Sequence, residues 1–229
     1  VAAGAQTSHT TRPPRRNSGV TVPSLLIAPI VEGHGDVAAV PVLLRRICAE
    51  LLGGRLVHVL RPIRQPRDRL LNDKDGCLAR SLELAIRKLK QSSIPSVPEL
   101  VLLLVDADHD CAAEGGPRTL ELAARLRGDA DIAVVWAVWE YETWFVAAAE
   151  SLHHHLNLDP STVPSDPEAS RCRKNWIERH WRVGKYSESV DQPKLTACMD
   201  LPLCRRRSPS FDKLCREMER RLSGGSVAH

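Results

Sequence analysis

Residues 101–110 read VLLLVDADHD, an uninterrupted apolar run that ends in acidic residues at every second position. Such a run predicts a β-strand buried on both faces, as in a parallel sheet covered by helices. Because side chains alternate along a strand, Asp106 and Asp108 project the same way and repel by about 4 kcal/mol at ~4 Å and a dielectric of ~20. Ligands bind at the carboxyl ends of strands in open α/β sheets, so the stretch predicts a divalent-metal site. The alternative is a solvated acidic turn.

The rest of the chain supplies strands and helices in alternation. Apolar runs predict strands at residues 25–31, 56–60, 100–105 and 132–138. Helical spacing predicts helices at residues 40–51, at 73–91, from Gly115-Gly116-Pro117 to 126, and within 174–181 and 210–222. The order β-α-β-α-β-α-β-α predicts a compact parallel sheet of four strands with right-handed crossovers.

Two prolines and a Pro/Arg-rich segment constrain this prediction. Pro29 is unfavourable inside the first strand because it lacks the N–H that a ladder hydrogen bond requires. Pro41 fits the first helix only in its opening turns. Residues 61–69 (RPIRQPRDR) are expected to form a loop.

Composition divides the chain into three parts. Residues 1–22 have no periodicity and are expected to form a disordered tail, followed by an α/β domain at 23–152. Residues 153–229 are expected to form a basic, mainly helical extension, because residues 171–221 hold twice as many Lys and Arg as Asp and Glu. A basic region beside an acidic pocket suits a polyanionic substrate, although Lys and Arg also solvate ordinary helix faces.

The overall totals exclude several classes of protein. The chain has 229 residues, 43% of them hydrophobic, which is enough for one good core. No apolar run approaches the ~20 residues of a membrane helix, so no membrane contact is expected. The seven cysteines contain no Cys-x-x-Cys pair, which predicts reduced thiols and a cytoplasmic location.

Acidic residues follow three of the four predicted strands. Glu32 follows the first strand and Asp36 lies four residues later, while Asp106 and Asp108 follow the third. Glu140 and Glu142 follow the fourth strand. Since the carboxyl ends of parallel strands share one edge of the sheet, these groups are expected to converge there. Each one alone could instead be a helix-start acid that interacts with the helix dipole.

These motifs resemble the Toprim superfamily, the metal-binding domain of topoisomerases, bacterial primases and OLD-family nucleases. The resemblance lies in Glu32-Gly33 after the first strand and Asp106-Ala107-Asp108 at the end of the third. Small stand-alone Toprim-like proteins are similar also in the segments at residues 140–145 and 186–192. Asp36 matches an acid that OLD-type nuclease Toprim domains place four residues after the first Glu.

The resemblance implies Mg²⁺ or Mn²⁺ and phosphodiester chemistry, for which hard oxygen ligands are suited. It implies Asp106 and Asp108 as principal ligands, and Glu32 as a ligand or a catalytic acid/base that Asp36 supports. Glu140 and Glu142 would complete the shell, with no indication of which points inward. Lys185 or Lys194 would neutralise the phosphate in the transition state, Lys185 being the expected catalytic residue; solvated lysines are the alternative.

The function expected from this resemblance is a metal-dependent endonuclease acting on nucleic acid, DNA in preference to RNA. Since OLD-like proteins pair a Toprim domain with an ATPase, a separately encoded ATPase partner and a role in anti-phage defence are expected by analogy. The alternative is a non-catalytic or conditionally active Toprim-like subunit of an ATPase complex. A receiver-like phosphoacceptor domain fits less well, because the sequence offers no evident fifth strand with its lysine.

Overall fold

The computed structural model of the chain describes residues 23–169, 171 and 173–223. The strands within these residues are β1 (Leu25–Val31), β2 (Val57–Val59), β3 (Ile63–Arg64), β4 (Glu99–Asp106) and β5 (Ile132–Ala137). The α-helices are α1 (His34–Arg46), α2 (Arg67–Leu71), α3 (Cys77–Ser92), α4 (Ala112–Leu126), α5 (Glu142–Ala147), α6 (Arg173–His180), α7 (Glu188–Cys198), α8 (Leu201–Arg207) and α9 (Pro209–Ser223). The predicted tail, residues 1–22, lies outside the described residues.

The strands form one parallel sheet in the order β2-β1-β4-β5, and β3 pairs with the carboxyl end of β1. The predicted class, a parallel sheet flanked by helices with a helical C-terminal region, is confirmed. The sequence pattern predicts four strands, whereas the sheet has five among the described residues. The extra strand, β3, lies in residues 61–69, which the pattern assigns to a loop, because a strand of two residues has no detectable periodicity.

Pro29 occupies a place in the central strand β1 where a donor is not required. Alternate residues of a parallel strand bond to opposite neighbours. The carbonyls of Ile27 and Val31 accept hydrogen bonds from Leu60 and Gln65, so this side of β1 faces β2 and then β3. By the same alternation Pro29 faces the break between those two short strands. The missing N–H therefore costs no ladder bond.

Both faces of the sheet are buried, as the opening apolar run predicts. On β4, the residues Leu100, Leu102 and Leu104 pack with α1 and the C-terminal helices, and the alternate residues Val101 and Leu103 pack with α3 and α4. The C-terminal region thus contributes to the same core as the sheet, through Leu195, Leu201, Phe211, Leu214 and Met218. No helix in the described part of the chain is both long and apolar enough to cross a bilayer.

Helix α1 begins earlier than the apolar spacing predicts. Its first residue is His34, and the Asp36 carboxylate accepts a hydrogen bond from the Gly33 N–H at 2.8 Å, which caps the first turn. Pro41 therefore lies inside the helix, so the expectation that it lies in the opening turns is wrong. The helix can begin here because Gly33 has no Cβ, which would lie 2.9 Å from the Asp36 carboxylate that accepts from its N–H.

Helix α4 also begins earlier than predicted, so Gly115, Gly116 and Pro117 lie inside it rather than before it. A Cβ on Gly115 would come within 2.2 Å of the Trp136 ring, so the glycine allows α4 to approach β5 closely. Helix α3 begins at Cys77, and Asp73 instead precedes it, accepting a hydrogen bond from the Leu78 N–H at 2.8 Å.

A second close approach joins the two ends of the chain. Helix α7 packs against α1 at Gly35, where an added Cβ would lie 1.8 Å from Gln192 Oε1 and 2.8 Å from the Glu188 carbonyl oxygen. The glutamine side chain could turn away, but the carbonyl belongs to the backbone of α7. Only a residue without a Cβ permits this packing.

We therefore expect Gly35→Ala to lower the free energy of unfolding by about 2–4 kcal/mol, because α7 must move off α1. The matched control is Gly116→Ala, also inside a helix, where the nearest atom is the mobile Lys213 Nζ at 3.4 Å. The control should be neutral or more stable by up to about 1 kcal/mol. Urea denaturation measures both, and equal effects of the two substitutions would contradict the packing described.

Candidate functional site

The carboxyl ends of β1, β4 and β5 lie side by side at one edge of the sheet. Glu32 follows β1, Asp106 ends β4, and Asp108 lies two residues beyond. Glu140 lies in the turn after β5, and Glu142 is the first residue of α5. The topology therefore brings to one edge the acids that the sequence singles out.

Glu32 and Asp106 form the centre of this acidic cluster. The Asp106 N–H donates a hydrogen bond to Glu32 Oε2 at 3.2 Å, which joins the loop after β1 to the end of β4. Burial, followed by repulsion from Asp108 and Asp36, raises the pKa of Glu32 to about 7 despite that hydrogen bond. A carboxyl that titrates near neutrality can exchange a proton at physiological pH.

Asp106 is the group on which the other acids act. Burial raises its pKa well above the ordinary value, and the charges of Asp36, Glu32, Glu142 and Asp108 raise it further. Four carboxylates thus influence a fifth, and the convergence of all six acids on one metal ion stays a prediction. Negative charge concentrated in this way favours a cation or protons at the site.

Helix α7 holds one of these acids from the far end of the chain. Gln192 Nε2 donates to Asp36 Oδ1 at 2.7 Å, while the other Asp36 oxygen accepts from the Gly33 N–H. Burial is the main reason that the pKa of Asp36 is raised, and both hydrogen bonds oppose the shift. The close packing of α7 on Gly35 therefore lies one residue from Asp36, a carboxylate of the cluster.

Glu140 and Glu142 differ in their surroundings. Glu142 is only 4% exposed and accepts a hydrogen bond from the Tyr186 hydroxyl at 2.9 Å. Burial, and then repulsion from Glu140, raises its pKa to about 7. Glu140 accepts from the Lys174 N–H at the start of α6, and the Lys174 ammonium pairs with Glu188. Residues 186–192, singled out in the sequence, thus lie over the acids.

Asp108 is the most exposed of the cluster and is held by its backbone. It adopts φ of +49°, and its N–H donates to the Trp139 carbonyl at 2.8 Å. The Arg67 guanidinium donates to the carbonyls of Asp106 and Ala107 at 2.7 and 2.9 Å and pairs with Asp110. Its Nε lies 3.7 Å from Asp108 Oδ2. Arg67 therefore orders the acidic loop.

The cation at this edge is thus an arginine that the sequence did not single out. Arg67 is one of four arginines in the segment at residues 61–69, and no spacing distinguishes it from the others. Lys185 is exposed, lines an open cavity of about 480 Å³ with Lys174 and Glu188, and pairs with no described acidic side chain. Lys194 pairs with Asp191 at 2.9 Å instead of the cluster.

Seven of the 14 Lys and Arg side chains in residues 171–221 form ion pairs with acids among the described residues. Arg205 pairs with Asp212 and Glu219, and Arg207 pairs with Glu150. Arg221 pairs with Asp131, which precedes β5 and so lies at the opposite edge of the sheet from the acidic cluster. The positive excess of residues 171–221 is therefore not a uniform surface beside the acids.

The possible metal ligands at this edge are all carboxylates. Mg²⁺ and Mn²⁺ prefer hard oxygen ligands of this kind and do not need imidazole or thiolate ligands, so the chemistry of the set suits these ions. Its side chains are nevertheless apart: among the described residues, no group of three or more His, Cys, Asp or Glu is placed to hold a metal ion. The reason is that Glu32, Asp36, Glu140 and Glu142 each accept a hydrogen bond from the protein. Because the carboxylates repel one another, binding to separate hydrogen-bond donors is more favourable than approaching one shared point.

The chain belongs to the DUF4276 family, a domain of unknown function, whose pattern it matches over residues 31–219. The match includes every acidic residue of the cluster and the α7 residues that bind them. No curated protein and no solved structure matches the chain.

The raised pKa values predict how the metal-free protein responds to pH. A carboxyl whose pKa is higher in the folded state stabilises the fold below its unfolded pKa, and that stability is lost as pH rises through the folded value. For Glu142 the window runs from 4.5 to about 7, so in EDTA the free energy of unfolding should fall across it by on the order of 2 kcal/mol.

Glu142→Gln tests this, because the amide oxygen still accepts from Tyr186 but cannot titrate. Denaturant unfolding at pH 5 and pH 7.5 should show a smaller pH difference for this variant than for the wild type. The control Glu121→Gln, at an exposed pair with Arg125, should keep the wild-type difference. A wild-type protein more stable at pH 7.5 than at pH 5 would count against the described burial.

Proposed function

We propose that the protein is a divalent-metal-dependent nuclease that hydrolyses phosphodiester bonds, with the acidic edge of its sheet as the catalytic site. The observation that supports this proposal is the shared sheet edge of β1, β4 and β5, where the Asp106 N–H donates to the Glu32 carboxylate at 3.2 Å and Asp108 follows. Burying carboxylates that repel one another lowers the stability of the fold. Such an arrangement is typical of functional sites, and here a bound cation would offset the repulsion. The motif resemblance to Toprim domains, and among them to OLD-family nucleases, supports the same chemistry.

The residues that would hold Mg²⁺ or Mn²⁺ are Asp106 and Asp108, with Glu32 and either Glu140 or Glu142. When bound, the ion supplies Lewis-acid stabilisation of the charge that develops on a phosphate during in-line displacement. Glu32 would act either as a further ligand or, through Oε1, which Asp106 does not engage, as the group that takes a proton from the attacking water. Arg67 keeps the loop of Asp106 and Asp108 in place.

Nucleic acid is the proposed substrate, with DNA expected in preference to RNA. Basic residues near the acids include Arg67, 3.7 Å from Asp108, and Lys174 and Arg171, which line one cavity with Asp108 and Glu140. These side chains would contact backbone phosphates on either side of the cleaved bond.

A second candidate is a conditionally active subunit of a complex with a separately encoded ATPase. The observation that favours it is that Tyr186 and Gln192 hold Glu142 and Asp36 away from a common centre. A partner that moved the segment from Tyr186 to Gln192, which includes the start of α7, would remove the hydrogen-bond donors of both carboxylates. Strong nuclease activity of the isolated chain would exclude this requirement.

Asp106→Asn should reduce cleavage of plasmid, linear DNA or RNA in Mg²⁺ or Mn²⁺ by about 100-fold or more. The control Asp129→Asn changes an acid at the opposite edge, paired with Arg127 in the turn before β5, and should cut like the wild type. Gel assays with purified full-length protein measure the rates. If the wild type cuts none of the substrates, or Asp106→Asn cuts equally well, the proposed activity is wrong.

Asp108→Ala should weaken Mn²⁺ binding by about ten-fold or more, because it removes an expected ligand. Isothermal titration of wild type, Asp108→Ala and Asp129→Asn with MnCl₂ measures this without any substrate. Equal affinities for the three proteins would remove Asp108 from the metal site.

A further inference from the structure

One tryptophan belongs to neither hydrophobic core. Trp136 packs in one core, and Trp144, Trp176 and Trp181 pack in or against the other. Trp139 is absent from both among the described residues and remains partly exposed. Its position is therefore not explained by core packing.

The backbone of Trp139 is in a conformation that a large side chain rarely adopts. Its φ is +64°, in the left-handed region, which costs on the order of 1–3 kcal/mol. The Trp139 carbonyl accepts the hydrogen bond from the Asp108 N–H, so the same turn that carries the ring also holds a residue of the acidic cluster. The strain places an aromatic ring beside the proposed catalytic edge.

The ring is fixed on the side away from solvent. Its Nε1–H donates to the Glu168 carbonyl at 2.8 Å. The Glu168 carboxylate in turn accepts hydrogen bonds from the Ser210 N–H and hydroxyl at 3.0 and 2.7 Å, at the start of α9. The Arg171 guanidinium lies 5.4 Å from the ring centroid. Trp139 is thus ordered before any ligand arrives.

A cavity of about 170 Å³ lies against this ring. Trp139, Arg171 and Asn175 line it together with His109 and Lys174, and two acids of the cluster, Asp108 and Glu140, form its remaining walls. It therefore combines an aromatic ring, a stacked guanidinium, a side-chain amide and cationic groups with the edge where a phosphate would be cut. This combination suits a nucleobase placed on the ring, with its sugar and phosphate outside the cavity towards the cations.

We propose that this cavity is a nucleotide subsite in which an unpaired base stacks on Trp139, so that the substrate is single-stranded or locally unpaired nucleic acid. The inference rests on the proposed nuclease function and specifies its substrate class. In a paired duplex both faces of each base are already stacked on neighbours, so a base reaches the ring only where the strand is open. The strained turn places the ring directly before Glu140, a residue of the acidic cluster.

The test measures binding rather than cleavage. The full chain carrying Asp106→Asn is titrated, in Mn²⁺, into a fluorescent 12-nucleotide DNA strand and into the same strand in a duplex. The single strand should bind at least about ten-fold more tightly than the duplex. Adding Trp139→Gly should weaken single-strand binding by about ten-fold or more. Trp139→Phe, which keeps an aromatic face, should retain most of it.

Trp139→Gly is chosen because glycine adopts a positive φ without strain, so the variant should fold. Thermal unfolding checks that it does, and Trp139→Phe serves as the second variant if it does not. Equal binding of single strand and duplex, or unchanged binding by Trp139→Gly, overturns the subsite even if the wild type cleaves DNA. Trp139-dependent binding without any cleavage by the wild type supports the subsite and overturns the nuclease. Binding of neither DNA form overturns the subsite.

Discussion

Repulsion between carboxylates at the carboxyl edge of the sheet is the constraint around which the rest of the molecule is arranged. Parallel strands β1, β4 and β5 bring Glu32, Asp106 and Glu142 to one place, and burial makes each charge more costly. Each shift in pKa is a measure of that cost, since one pKa unit corresponds to about 1.4 kcal/mol. The sheet tolerates the cluster because its two apolar faces stabilise the fold independently of the edge.

Hydrogen-bond donors from distant parts of the chain stabilise these carboxylates and their loop. Gln192 and Tyr186 reach Asp36 and Glu142 from the C-terminal region, and Arg67 binds the acidic loop from the short helix α2. Gly35 makes the first of these contacts possible by letting α7 approach α1. The C-terminal helices are therefore part of the site as well as of the core. Two carboxylates thus depend on donors from one C-terminal segment, residues 186–192.

The balance between donors and acids also explains why the site combines metal-type chemistry with separated side chains. Several carboxylate oxygens lie near this edge, but Glu32 and Glu140 each accept a hydrogen bond from a backbone N–H. The strained turns at Asp108 and Trp139 act in the opposite sense, because their shared hydrogen bond holds the mouth of the site in one shape.

Local pattern was sufficient for the parallel sheet and for placing the acids near its carboxyl edge, because burial on both faces leaves an apolar run such as residues 101–105 and strand ends share an edge. The same pattern could not reveal β3, the early start of α1 or the place of Gly115 inside α4, which depend on short-range caps and on a ring from another strand. It could not distinguish Arg67 from its neighbours, nor show that Lys194 pairs with Asp191. Those outcomes depend on which groups the fold brings within reach of one another, and distance and burial exist only once the chain has folded.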